Sequence, residues 1–168
     1  NINNFNQKEV VINNYKFSIV SSNISLERFY SHDMEEHIIN ELILLSNPVK
    51  NEKTIFVWPE GLFPDTELNN LQKYSNKFSE IFDENHYIVL GINNSKNLDN
   101  QVRYFNSLAV INNKAQVLVS YDKNKLVPFG EFLPFENILK KIGAKNLTNN
   151  YQSYSPGDAR EIIDLSLN

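Results

Sequence analysis

The chain has 168 residues, no cysteine, a formal net charge of -4 and a sequence pI near 5.4. That length suits one domain with a real core, 41% hydrophobic and 12% aromatic residues argue against disorder, and dispersed charges without a basic block exclude nucleic acid as an expected partner. The absence of cysteine excludes disulfides, cysteine metal sites and a cysteine nucleophile within these residues, and no apolar run reaches the roughly 20 residues that a membrane helix needs.

Asn1 to Gln7 has neither the basic start nor the apolar core of a signal peptide. Residues 1–14 read as a polar arm or linker, 15–168 as the domain, and the chain as soluble as written. A start without methionine and a stop at Asn168 just after a strand-like run point to an excerpt from a longer protein. Tyr15 to Val20 alternates Tyr15, Phe17 and Ile19 against Lys16 and Ser18, the period of a half-buried strand. From Ser31 or Asp33 as N-cap, Met34, Ile38, Leu42 and Leu45 recur at three- and four-residue spacing, predicting an amphipathic helix that ends near Asn47-Pro48. Thr54 to Trp58 is a short apolar run, expected to be a buried strand that delivers Pro59-Glu60 at its end. Between Glu67 and Asn85, Leu68, Leu71, Tyr74, Phe78, Ile81 and Phe82 predict a second helix.

Tyr87 to Ile92 reads as a further buried strand closed by Gly91, followed by a polar loop over Asn93 to Asn100. Tyr104 to Ile111 and Gln116 to Tyr121 read as two strands joined at Asn112-Asn113, a pair that tolerates positive φ. Phe135 to Ile142 predicts one or two helical turns stopped by Gly143, and Glu161 to Leu165 a last strand. The order β, α, β, α, β, β, β specifies an α/β layered domain, wound through helices in its first half and hairpin-connected in its second.

Two stretches carry the chemistry. Trp58-Pro59-Glu60-Gly61 places a carboxylate at the end of a strand, the usual place for ligand contacts in open α/β sheets. Proline and glycine around it make a rigid turn. Tyr121 to Pro134 follows another strand and holds Lys123, Lys125 and Glu131 among apolar residues, so the loop is expected to be at least partly buried, with Glu131 as a partner for Lys123. A lysine held that way stays charged and can stabilise a developing oxyanion. His32 and His37 stand five residues apart, whereas a two-histidine zinc helix needs four, so they and Glu35-Glu36 read as a solvated helix face. His86 reads as structural. No metal site is expected, and no phosphate loop, dinucleotide fingerprint or Gly-x-Ser-x-Gly elbow is present.

Trp58-Pro59-Glu60 with Phe63-Pro64, Phe105-Asn106-Ser107 with Ala109, and Tyr121-Asp122-Lys123 running into Leu126-Val127-Pro128-Phe129-Gly130-Glu131 and Pro134 resemble the nitrilase-like domain of the apolipoprotein N-acyltransferase family. Ile19-Val20 and Asn23-Ile24 resemble that family's first strand. The resemblance implies the N-terminal portion of an αββα sandwich and a Glu-Lys-Cys triad. Glu60 would be the general base, Lys123 the stabiliser of the tetrahedral intermediate, and Glu131 the carboxylate that holds Lys123. The implied cysteine has no counterpart here and is expected on a later strand beyond Asn168, so the fragment alone is expected to be inactive. The implied partners are a phospholipid acyl donor and a diacylglyceryl lipoprotein acceptor, with no metal or cofactor. The implied location is the bacterial inner membrane, with the domain on its extracytoplasmic side and attached through a transmembrane region missing from this chain. Lys125 stands where a histidine is common and Gly61 where a slightly larger small residue is common, and neither change removes a triad member. Two other readings are open: a soluble carbon-nitrogen hydrolase using the same triad, and a non-catalytic remnant serving as a binding module.

Overall fold

A computed structural model describes residues 14–22, 34–63, 66–135, 141, 153–160, 162 and 165. Strand β1 (Lys16–Ile19) pairs in parallel with β2 (Thr54–Val57), and β2 in parallel with β3 (His86–Leu98). From there the chain turns back on itself. Strands β4 (Gln101–Asn112) and β5 (Val117–Asp122) add as successive antiparallel neighbours, so the mixed five-stranded sheet keeps sequence order throughout. The α/β class and its change from helical crossovers to hairpins match the sequence pattern.

Helix α1 (Glu35–Ser46) connects β1 to β2. Met34 occupies its N-cap without a side-chain cap, while the expected caps Ser31 and Asp33 lie outside the described residues. Asn47 ends the helix in the left-handed conformation, φ 41°, which asparagine adopts more readily than most residues. Between β2 and β3 the expected single helix is two pieces, a 3-10 helix over Leu68–Tyr74 and α2 (Ser75–Ile81). Leu68, Leu71 and Tyr74 recur every three residues, the repeat of a 3-10 helix. From Tyr74 the spacing widens to four at Phe78 and Phe82, which suits an α-helix.

A parallel β-α-β connection is right-handed, so two crossovers onto successive neighbours place their helices on the same face of the sheet. That face is the main core. Ile38, Ile39 and Leu42 of α1 and Phe78 of α2 bury against Phe56, Ile88, Leu90, Ala109 and Ile111 of the sheet. His86, fully buried, accepts a hydrogen bond at Nδ1 from the Asp83 amide and donates from Nε2 to the Val49 carbonyl, a structural role between loops. On the opposite face Tyr15, Ile55, Tyr87 and Val110 form a smaller cluster, and Phe17, Ile19 and Leu108 remain exposed, Ile19 at 81%. No second sheet covers this face among the described residues. Helices on one face and an apolar sheet surface on the other make an α/β layer pair.

Three expectations need correction. Gly91 does not close β3, and Asn93 to Leu98 is not a loop. The strand continues to Leu98 and pairs with β4 from Tyr87↔Asn112 to Leu98↔Gln101. Its polar side chains find partners in a twisted hairpin arm, and Asp99 and Asn100, with φ of 53° and 61°, form the two-residue turn. At the β4–β5 turn the positive φ falls on Ala115, at 55°, instead of on the asparagine pair. Asn112 closes this turn by accepting hydrogen bonds from the Lys114 and Gln116 amides. The predicted helix over Phe135 to Ile142, its stop at Gly143 and the final strand fall largely outside the described residues, as does the arm over 1–13.

Phe78 is fully buried, with ring centroids 5.8 Å from both Trp58 and Phe82. Phe78→Ala is expected to lower stability by about 3–5 kcal/mol, read from urea unfolding at neutral pH. A loss below about 1 kcal/mol would contradict a core built on this ring.

Candidate active site

The site forms where β2 and β5 end and β3 and β4 pass beside them. Trp58 fixes the end of β2: its amide donates to the Val89 carbonyl at 2.9 Å, and its indole Nε1 donates to Ser46 Oγ at 2.9 Å. Ser46 in turn donates to the Leu42 carbonyl, so the indole is anchored through α1. Pro59 and Gly61, the latter at φ +72°, turn the chain so that Glu60 leaves the sheet edge. Beneath it is Gly91. A Cβ on Gly91 would stand 3.1 Å from Glu60 Cγ and 3.3 Å from Glu60 Cα, so the bare backbone of β3 is the seat of this side chain.

Lys123 follows β5 directly, and its amide donates to the Asn106 carbonyl of β4 at 2.8 Å. Its ammonium donates to Glu131 Oε1 at 2.8 Å and lies 3.8 Å from Glu60 Oε1. Glu131 is held on every side. Its Oε2 accepts from the Val127 amide at 2.7 Å, its own amide donates to the Val127 carbonyl, and its carbonyl accepts from the Tyr154 amide. The side chain of Glu131 is 12% exposed, that of Lys123 34% and that of Glu60 66%, so the pocket grades from a buried carboxylate to an open one. The three residues expected from the sequence therefore meet, and Glu60 and Lys123 border a cavity of about 260 Å³ whose lining includes Trp58, Gly91, Asn106 and Tyr121.

The loop carrying them is partly buried, as expected, with Leu126, Phe132 and Leu133 of intermediate exposure. Val127, Phe129 and Phe135 are exposed, Phe129 at 71%, and Lys125 is exposed as well. Pairing with Lys123 and with backbone amides satisfies Glu131 without burying the whole loop. Phe129 takes a positive φ of 62°, and Pro128 bridges to Phe132, forming a tight turn around the glutamate. Residues 153–157 back this turn: the Ser155 amide donates to the Tyr104 carbonyl and the Gly157 amide to the Lys123 carbonyl.

The hydrogen bond to Glu131 holds the Lys123 ammonium above the usual lysine range, with Coulombic attraction from Glu131 and Glu60 adding to it and desolvation opposing. Burial pushes the Glu131 carboxyl up, but hydrogen bonds from Lys123, the Val127 amide and Asn106 outweigh it and hold the group below the ordinary carboxylate range. Behind the site, burial likewise raises Asp122, yet Lys96, Ser107 and Asn94 together keep it low, with Ser107 Oγ donating at 2.6 Å. An ammonium that stays charged beside an exposed carboxylate can stabilise a developing negative oxygen while the carboxylate takes a proton.

Asn106, Gly91 and the 153–157 segment had no site role in the sequence reading, although Asn106 stood within a motif. A glycine inside a β pattern is the one local signal that pointed to close approach. His37 is exposed on α1, and His32 lies outside the described residues; Glu35 and Glu36 pair with Lys73 and Lys77. Among the described residues no cluster of three His, Asp or Glu side chains could hold a metal, and no helix is long and apolar enough to cross a membrane.

Fold and site together define an α/β domain with a lysine set between two glutamates at the edge of its sheet. No family model matches the chain. The apolipoprotein N-acyltransferase of Rhizobium leguminosarum bv. trifolii is 32% identical over 113 residues, covering 66% of this chain and 21% of that protein. The apolipoprotein N-acyltransferase of Rhodopseudomonas palustris is 26% identical over 165 residues, 92% of this chain and 31% of that protein. Among solved structures, an amidase from Nesterenkonia superposes with a TM-score of 0.39 at 10% identity, over 85% of this chain and 48% of that one. The chain is a relative of the apolipoprotein N-acyltransferases, enzymes by name, and spans about a fifth to a third of the length of those it matches.

The pairing of Lys123 and Glu131 carries a pH signature. Because the folded carboxyl titrates below its ordinary value of 4.5, its contribution is fully present above that value and is lost as pH falls through the lowered folded value. Glu131→Gln is expected to cost about 1–3 kcal/mol at pH 7 and to remove that part of the acid sensitivity, measured as urea midpoints between neutral and acid pH. Equal acid sensitivity in both proteins would show that Glu131 is not held by the lysine.

Proposed function

We propose that this chain is the part of an apolipoprotein N-acyltransferase that supplies the base and the oxyanion-stabilising cation. The reaction moves a fatty acyl chain from a phospholipid to the α-amino group of the diacylglyceryl-modified N-terminal cysteine of a bacterial lipoprotein. Its setting is the extracytoplasmic side of the inner membrane. The observation that carries this reading is the Lys123 ammonium, 2.8 Å from Glu131 and 3.8 Å from Glu60, in a chain whose relatives are named for that activity. The nucleophile is a cysteine outside these 168 residues, since none lies within them. Its thiolate adds to the ester carbonyl, Lys123 stabilises the oxyanion, and Glu60 returns a proton to the departing lysophospholipid oxygen as the thioester forms. The lipoprotein amine then attacks the thioester. Glu60 takes its proton, the amide forms and the thiolate leaves.

On this reading the 168 residues incubated with phospholipid vesicles and a diacylglyceryl lipopeptide yield no acylated product, and robust acylation would refute the need for an outside cysteine. Grafted in place of the matching segment of the Rhizobium leguminosarum relative, the chain is expected to support transfer. Glu60→Gln and Lys123→Met in that chimera should each slow transfer by about 10²–10⁴-fold. An active chimera indifferent to both changes would overturn the assignment.

A further inference from the structure

Asn106 sits where β4 passes between the two carboxylates. Its Nδ2 donates to Glu60 Oε1 at 2.9 Å and to Glu131 Oε1 at 2.5 Å, while its carbonyl accepts from the Lys123 amide. Ionised carboxylates only accept hydrogen bonds, so the atom between them has to be the amide nitrogen; an oxygen there would face two acceptors. The two protons of one neutral group thus separate two negative charges. Glu131 Oε1 accepts from Lys123 as well as from Asn106, which fixes that oxygen from two directions. Lys123 stands nearer to Glu131 than to Glu60, so it is Asn106 that donates to the Glu60 carboxylate at hydrogen-bonding distance.

Asn106 also has a rigid mount. It is paired across the ladder with Asn93 of β3, and its neighbour Ser107, buried on the helix-bearing face, donates to Asp122, the residue before Lys123. Asn106 through its backbone carbonyl and Ser107 through its hydroxyl therefore both hold the end of β5. A group mounted on a paired strand holds its geometry better than one on a loop.

We infer that Asn106 is a positioning residue that couples Glu60 to the Lys123–Glu131 pair, holding the two carboxylates at fixed separation around the ammonium. The inference rests on the acyl-transfer reading for its catalytic meaning, but its geometry is testable without turnover. The full 168-residue chain, labelled with ¹³C at glutamate carboxyls, is titrated by NMR, with Glu131→Gln identifying the Glu131 signal. Asn106→Ala removes a donor from Glu131, so its midpoint should move upward. Asn106→Asp places a third carboxylate in the same space and should move it further up. Asn112→Ala is the control for general loosening: Asn112 closes the β4–β5 turn away from the site, and its loss should lower stability while leaving the Glu131 midpoint in place. An unmoved midpoint in both Asn106 variants, with Lys123→Met raising it, would overturn the role of Asn106 and leave the lysine pair standing. An unmoved midpoint in Lys123→Met as well would overturn the pair and the functional reading with it. A shift in Asn112→Ala equal to that in Asn106→Ala would make the effect one of fold stability and refute a positioning role.

Discussion

The Lys123–Glu131 hydrogen bond is the interaction around which the end of the sheet is organised. An ammonium one-third exposed and a carboxylate nearly buried each need a partner, and each finds the other within the same loop. Because Glu131 also takes the Val127 amide and returns its own amide to the Val127 carbonyl, the pair is welded into a turn that would otherwise leave backbone groups unpaired. The loop can then expose Phe129 and Val127 without losing shape. Charge pairing, more than burial, holds it.

The sheet supplies what the loop cannot. Two parallel pairs and two hairpins bring the ends of β2 and β5 to one edge, while the β3–β4 arm runs past them. Glu60 arrives from a strand locked by the Trp58 indole, Lys123 from a strand clasped by β4, and Gly91 leaves the gap in which Glu60 lies. The helices occupy one face because the crossovers share a hand. The site opens at the sheet edge, clear of that helical layer. On the opposite face Phe17 and Leu108 are exposed, since among the described residues the sheet is covered on one side only.

Relatedness to the apolipoprotein N-acyltransferases gives this geometry a chemical context. The match runs over 66% to 92% of the chain in the relatives compared. The arrangement sets an ammonium beside two carboxylates, and these residues include no thiol. Its two carboxylates differ in exposure: Glu131, mostly shielded, is tied to the lysine, and Glu60 is open to solvent.

Much of this was written locally in the residues. Alternation at Tyr15 to Val20, the three- and four-residue spacing of α1, and the apolar runs at Thr54 and Tyr87 determined the elements and their α/β order, since each depends only on near neighbours. Even the change from a 3-10 to an α-helix is legible in the step from Leu68, Leu71 and Tyr74 to Phe78. Glu60, Lys123 and Glu131 stood out because charges in apolar, proline-broken turns require partners. Tertiary structure alone decided which partners: Asn106 lies 46 residues from Glu60 and 25 from Glu131, and no local pattern relates them. It likewise decided that Asn93 to Leu98 is strand, because its polar residues pair across a ladder whose register is set only when β4 folds back. Sequence fixes what depends on spacing along the chain, whereas the contacts that aim a side chain arise only once distant strands are hydrogen-bonded side by side.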